Sequence, residues 1–161
     1  MMKKELNIRQ IQQDAEETFR SGGFYCSEAI MFSIRKNIAP EMPQALIAAA
    51  SGFPVGVGRS KCLCGAISGG VLALGYFLGK EKATNGEYQK SIELANELQQ
   101  SFRNKHKGVS CCHIHTKGMD MASGEHKQQC VAFTGEMAIR TARILARELE
   151  LKIFEDEVIS S

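Results

Sequence analysis

A chain of 161 residues, 43% hydrophobic and 24% charged, has the length and composition of one domain built on a single core, spanning 1–161, and lies far from the balance that gives disorder. Its 20 Lys and Arg against 18 Asp and Glu leave a formal net charge of +2, scattered without a run or stripe, which speaks against nucleic acid as a partner. The opening Met-Met-Lys-Lys-Glu leads into a polar, glutamine-rich segment without the apolar stretch of a secretory signal, so the expected location is cytoplasmic.

Ile8, Ile11, Ala15 and Phe19 recur at steps of three and four, which predicts an amphipathic helix ended by Ser21-Gly22-Gly23. A second helix is predicted over 26–37, with Cys26, Ile30 and Ile34 on one face, followed by a turn-rich break from Asn37 to Pro43. Pro43 suits the opening of a short Ala-rich helix through Ala50. Residues 51–61 carry three glycines and a proline and read as a loop whose backbone needs unusual dihedral freedom.

The stretch from Cys62 to Gly79 holds no charged residue, and Cys64, Ile67, Val71, Leu74 and Leu78 repeat at helical intervals, predicting a central buried helix. It approaches the roughly 20 residues of a membrane span. Five glycines and Ser68 weaken its hydrophobicity, so no span is expected. The small residues Gly65, Ala66, Gly69, Gly70 and Ala73 imply instead that neighbouring helices approach it closely. Residues 84–104 give the longest amphipathic pattern, with Tyr88, Ile92, Ala95, Leu98 and Phe102 as its stripe. Lys105 to Gly124 reads as a connection with at most a short helical turn. A last helix is predicted from Glu125 to Leu151, with Ala138, Ala142, Leu145 and Leu149 facing inward. No repeat and no convincing β-alternation appears, so the expected class is all-α: a helical bundle of about five to six helices around a Gly/Ala-rich centre.

Six cysteines in a chain of this size and expected location are not needed as staples, which turns attention to metal binding or thiol chemistry. Cys64 follows the glycine-rich loop and stands in the first turn of the predicted central helix, where the positive dipole end favours a thiolate. Lys61 and Arg59 could add positive potential or face water. Cys26 shares a face with Ile30 and Ile34, and Cys130 with Thr134, Met137 and Ala138, so both thiols should point inward. With Cys64, and with Cys111 or Cys112 from the late loop, four thiols from separate elements can converge. Four thiolates suit tetrahedral zinc or a [2Fe-2S] cluster, and a pair among them suffices for dithiol-disulfide exchange. His113 and His115 beside the vicinal pair could be recruited by a metal, although a polar loop more often leaves them solvated.

The residues from Gly22 to Ala29 around Cys26, the loop from Gly52 to Arg59, Cys64-Gly65-Ala66-Ile67-Ser68-Gly69, Ser110 to Gly118, and Gln129 to Glu136 together resemble the C-GCAxxG-C-C family. That family is labelled for suspected redox activity and identified by four cysteines and a CGAxxG signature. The resemblance covers nearly the whole chain and implies that the family cysteines are Cys26, Cys64, Cys112 and Cys130, with Cys111 competing for the third place. Cys62 and the remaining vicinal cysteine are then extras that could resolve an oxidised thiol.

Three readings follow. Four thiolates could hold an iron-sulfur cluster or another metal and pass electrons to a partner protein. A metal-free thiol oxidoreductase would use Cys64 as nucleophile and Cys62, Cys112 or Cys130 as the resolving thiol. Structural zinc would tie helices together. The loop at Gly52 to Arg59 lacks the Gly-Lys-Ser/Thr of a P-loop, and no carboxylate or Ser-His arrangement suggests hydrolysis. Glu28 and Glu136, close in sequence to family cysteines, could tune them or lie on solvated faces. A homodimer could bury any surplus apolar surface.

Overall fold

Helix α1 (Ile8–Arg20) buries Ile8, Ile11 and Ala15 along the face its periodicity marks. It begins where the Asn7 side chain accepts from the Gln10 N–H at 3.0 Å, satisfying one of the donors a helix start leaves unpaired. The structure is a computed structural model and describes residues 1–82, 89–120 and 122–155. Helix α2 (Cys26–Asn37) buries Ala29, Ile30, Met31 and Ile34, and its first turn is closed by the Tyr25 N–H donating to Glu28 Oε2 at 2.9 Å. A short α3 (Ala45–Ala49) passes directly into one 3-10 turn (Ala50–Gly52).

Helix α4 (Gly65–Leu78) is the central element, with an unbroken buried run from Gly65 to Gly70 and with Ala73 and Leu74 also buried. It packs against α2, against α5 (Gln89–Lys105) and against the long α7 (Glu125–Glu148). Helix α7 in turn lies against α1, α2, α4 and α5, so every long helix touches at least two others. A single turn, α6 (Cys112–His115), interrupts the connection between α5 and α7. No helix among the described residues is long and apolar enough to cross a membrane.

Glycine sets how closely α4 meets its neighbours. A Cβ on Gly69 would stand 2.7 Å from Ser27 Cα, and one on Gly70 would stand 2.5 Å from Thr141 Oγ1 and 2.7 Å from Leu98 Cδ2. The first contact is backbone against backbone and has no flexible side chain to yield.

Several expectations need correction. The central helix starts at Gly65 and not at Cys62, because the loop's irregular backbone continues to Lys61; Cys64 is its N-cap and not a residue of its first turn. In α5 the buried stripe is Leu94, Leu98 and Phe102, whereas Ile92 is 55% exposed; packing against α4 and α7 selects a face rotated from the expected one. The start of that predicted helix, 84–88 with Tyr88, lies outside the described residues. The last helix stops at Glu148, since Glu150 takes φ 54°, and the chain continues as a strand. That strand, β2 (Lys152–Phe154), pairs in parallel with β1 (Glu5–Asn7), with Leu6 opposite Ile153. Three residues are too few to display a period of two, so neither strand was legible as one. The pair ties the two chain ends together beneath an otherwise all-α bundle, with Leu6 fully buried.

Gly69→Ala is expected to lower unfolding free energy by about 1–3 kcal/mol through overpacking against Ser27. Gly75→Ala on the same helix meets nothing within 4 Å and should stabilise by about 0.4–1 kcal/mol. Thermal melts of the two variants check both signs.

Candidate functional site

Four thiols from four elements line one cavity of ≈ 90 Å³: Cys26, Cys64, Cys112 and Cys130. Cys26 opens α2, Cys64 caps α4, Cys112 opens α6, and Cys130 projects from the second turn of α7. The rest of the wall is mainly apolar, with Phe19, Tyr25, Pro54, Val55 and Ala66. Gly65 makes the meeting possible, because a Cβ there would stand 2.5 Å from Cys26 Sγ. The first glycine of the signature is therefore space for a sulfur atom, and the second, Gly69, is space for the backbone one residue along.

Burial dominates the electrostatics of these thiols. It pushes Cys64 up to about 12, with Cys112 and Cys130 adding to the rise, while the Ala66 and Ile67 amides at the helix start pull it partly back. The expected dipole effect at Cys64 is thus present but outweighed, and the metal-free thiol is protonated at neutral pH. Burial likewise raises Cys26, helped by Cys64, Cys130 and Cys112 and opposed by the Ser27 amide. Cys130 is pushed up to about 11 by burial and by Cys112. Burial raises Cys112 too, with Cys111 acting in the same direction and Lys61 against it.

Cys111 does not line the cavity; its Sγ–H donates to the Lys61 carbonyl at 2.9 Å. Cys62 is exposed. Among the described residues, no three Cys, His, Asp or Glu side chains stand where they could hold a single metal ion. His115 is engaged elsewhere, with Nε2 2.9 Å from the Val109 carbonyl and its ring against Phe102 and Phe133. The His113 side chain lies outside the described residues. Glu28 accepts from the Tyr25 N–H and, at 2.6 Å, from Ser51 Oγ, so it ties the start of α2 to the 3-10 turn. Burial alone would raise Glu136, but Lys105, His106 and Arg140 bond to it and hold it below its ordinary value. It contributes to an ion-pair network on α7 and does not line the thiol cavity.

His126 lines the cavity and was not singled out in the sequence; its Nδ1 is buried without a hydrogen-bond partner among the described residues. His126 precedes Cys130 by four residues on α7, so the helical period alone puts the two on one face, a signal that the sequence did carry. From Val55 to Arg59 five consecutive residues have positive φ, between 55° and 69°, and Lys61 repeats it at 59°. Glycine accounts for only two of the five, so Val55, Val57 and Arg59 carry strain of about 1–2 kcal/mol each. Pro54 and Val55 of this segment form part of the cavity wall.

The helical bundle thus lines one cavity with four cysteines drawn from four elements. The sequence model of the family described as "Putative redox-active protein (C_GCAxxG_C_C)" matches residues 24–144, and the chain is a member of that family. No curated protein and no solved structure matches the chain.

Two measurements follow. Unfolded thiols ionise near 9.0, whereas Cys64 in the folded protein holds its proton to about 12, so ionisation above pH 9 favours the unfolded chain. Stability of the reduced, metal-free protein should be insensitive to this thiol below pH 8. It should then fall by up to about 1.4 kcal/mol per pH unit on its account between pH 9 and 12, and Cys64→Ala should flatten that decline. Val57→Gly, at an exposed position of φ 61°, should raise unfolding free energy by about 1 kcal/mol in denaturant titration.

Proposed function

We propose that the four-thiol cavity holds an iron-sulfur cluster of the [2Fe-2S] type and that the protein passes electrons to a partner protein. The observation that carries this reading is the size of the space the sulfurs enclose. Roughly 10–15 Å³ holds one water, so ≈ 90 Å³ has room for an occupant several times larger than a single ion. Four soft donors around a space wider than one ion suit a polynuclear centre better than structural zinc.

The surroundings support the same reading. Thiolates are needed as ligands, yet burial keeps the free thiols protonated, so deprotonation must be coupled to the arrival of positive charge. The N-terminal ends of α2 and α4 both meet the cavity, through Cys26 and Cys64, and favour negative charge there. Cys26, Cys64, Cys112 and Cys130 would be the ligands, and the buried Nδ1 of His126 would gain a polar neighbour it otherwise lacks. When bound, such a group supplies a one-electron couple whose potential responds to burial and to nearby hydrogen-bond donors. Phe19, Tyr25, Pro54 and Val55 would limit water at the sulfurs. The metal-free alternative asks a protonated, buried Cys64 to act as nucleophile, which its surroundings oppose.

Anaerobic reconstitution of the reduced protein with ferrous iron and sulfide tests the proposal. The expected result is a brown chromophore with about two iron and two sulfide per chain. Serine at Cys26, Cys64, Cys112 or Cys130 should abolish or severely weaken it, and Cys111→Ser should retain it. A colourless, metal-free protein whose thiols cycle freely with a disulfide reagent would overturn it in favour of dithiol chemistry.

A further inference from the structure

Two thiols lie outside the cavity, and the backbone places one of them opposite a cavity cysteine. An isolated antiparallel bridge joins Leu63 to Cys111. It is carried by the Cys64 N–H donating to the Ser110 carbonyl at 2.9 Å and the Cys112 N–H donating to the Cys62 carbonyl at 2.7 Å. That register sets Cys62 directly opposite Cys112. The two residues share that one hydrogen bond, while the Cys62 N–H donates to the Gly56 carbonyl and Cys112 opens α6, so they are neighbours at the edge of the bridge. A disulfide spans a Cα separation of roughly 4.4–6.8 Å, the range into which residues facing each other across an antiparallel bridge fall.

The two partners differ in access. Cys62 is exposed, whereas Cys112 is half-buried and forms part of the cavity wall. Cys111, the other thiol of the bridge, is held aside by its bond to the Lys61 carbonyl. Cys62 is thus the thiol a soluble reagent meets first, and Cys112 stands opposite it to complete the exchange.

We propose that Cys62 and Cys112 form a reversible disulfide that withdraws Cys112 from the cavity and so switches the site off under oxidation. The oxidant class is a small soluble disulfide, such as oxidised glutathione. Cys62, as thiolate, attacks one sulfur; the reagent's S–S bond breaks, a mixed disulfide forms on Cys62, and one glutathione thiolate leaves. Cys112 then loses its proton and attacks Cys62 Sγ, which forms the intramolecular bond and expels the second glutathione thiolate. Two protein thiols are oxidised, one glutathione disulfide is reduced to two thiols, and the protons lost by the protein are taken up by the leaving thiolates. The switching consequence rests on the cluster reading above, but the disulfide itself does not.

The reduced, metal-free full chain, incubated with oxidised glutathione, should lose two of its six free thiols. Peptide mapping should locate a Cys62–Cys112 link that persists in Cys111→Ser and is lost in Cys62→Ser. Retention of all six thiols, or a link joining any other pair, would overturn the proposal. In a second arm, oxidised protein is challenged with ferrous iron and sulfide. Wild type should lose the chromophore until dithiothreitol restores it, and Cys62→Ser should develop it with or without prior oxidation. An undiminished chromophore in oxidised wild type overturns the switch. Failure of every form, reduced wild type included, to take up iron refutes the cluster reading and with it the switching, leaving the peptide map to decide the disulfide.

Discussion

Where α4 crosses α2, the two backbones touch, and the rest of the site depends on that contact. Neither Gly65 nor Gly69 has a side chain to hold the helices apart, and the freed space is taken by Cys26 Sγ in one case and by the backbone of Ser27 in the other. Because the contact falls at the first residues of both helices, it delivers two helix N-termini and two thiols to a single point. Gly70 repeats the device on the opposite side, admitting Thr141 of α7 and Leu98 of α5. The CGAxxG signature is therefore a packing requirement as much as a chemical one: its cysteine supplies a sulfur, and its two glycines supply the distance at which a second sulfur can reach the first.

That proximity creates an electrostatic conflict within the protein. Helix starts favour thiolates, while an apolar, water-poor wall and neighbouring sulfurs favour thiols. Burial wins in the metal-free chain, as the raised values at Cys26, Cys64, Cys112 and Cys130 indicate. Four neutral thiols are compatible with a mainly apolar cavity wall, but their clustering gives little stability that four methyl groups would not give. Positive charge at the centre would reconcile the two tendencies, because it favours the ionised sulfurs that the helix ends are already placed to support. The left-handed backbone from Val55 to Arg59 belongs to the same picture. Strain of this kind persists only where the surroundings hold it, and here it shapes the segment that forms one wall of the cavity.

The bridge between Leu63 and Cys111 links this buried chemistry to the surface. Its hydrogen bonds fix the segment before α4 against the segment before α6, so the two N-terminal thiols Cys64 and Cys112 are positioned by one small piece of β-structure. The same pairing leaves Cys62 in solvent and Cys111 bound to a carbonyl, so neighbours in sequence differ in environment: Cys62 from Cys64, and Cys111 from Cys112.

Much of the architecture was legible in the chain because helices of this length advertise themselves. The stripes of Ile8, Ile11 and Ala15, of Ile30 and Ile34, and of Ala138, Ala142 and Leu145 repeat at the helical period, and each proves buried. The run of small residues from Gly65 to Ala73 announced a close-packed central helix, and the inward faces of Cys26 and Cys130 followed from the residues beside them. What sequence could not decide were relations between segments with no shared period. The parallel pairing of β1 with β2, the rotation of α5 that exposes Ile92 and the choice of Cys112 over Cys111 at the cavity all depend on contacts between distant residues. Periodicity is a local property and survives in the sequence; convergence is a property of assembled helices, fixed only when their backbones have packed.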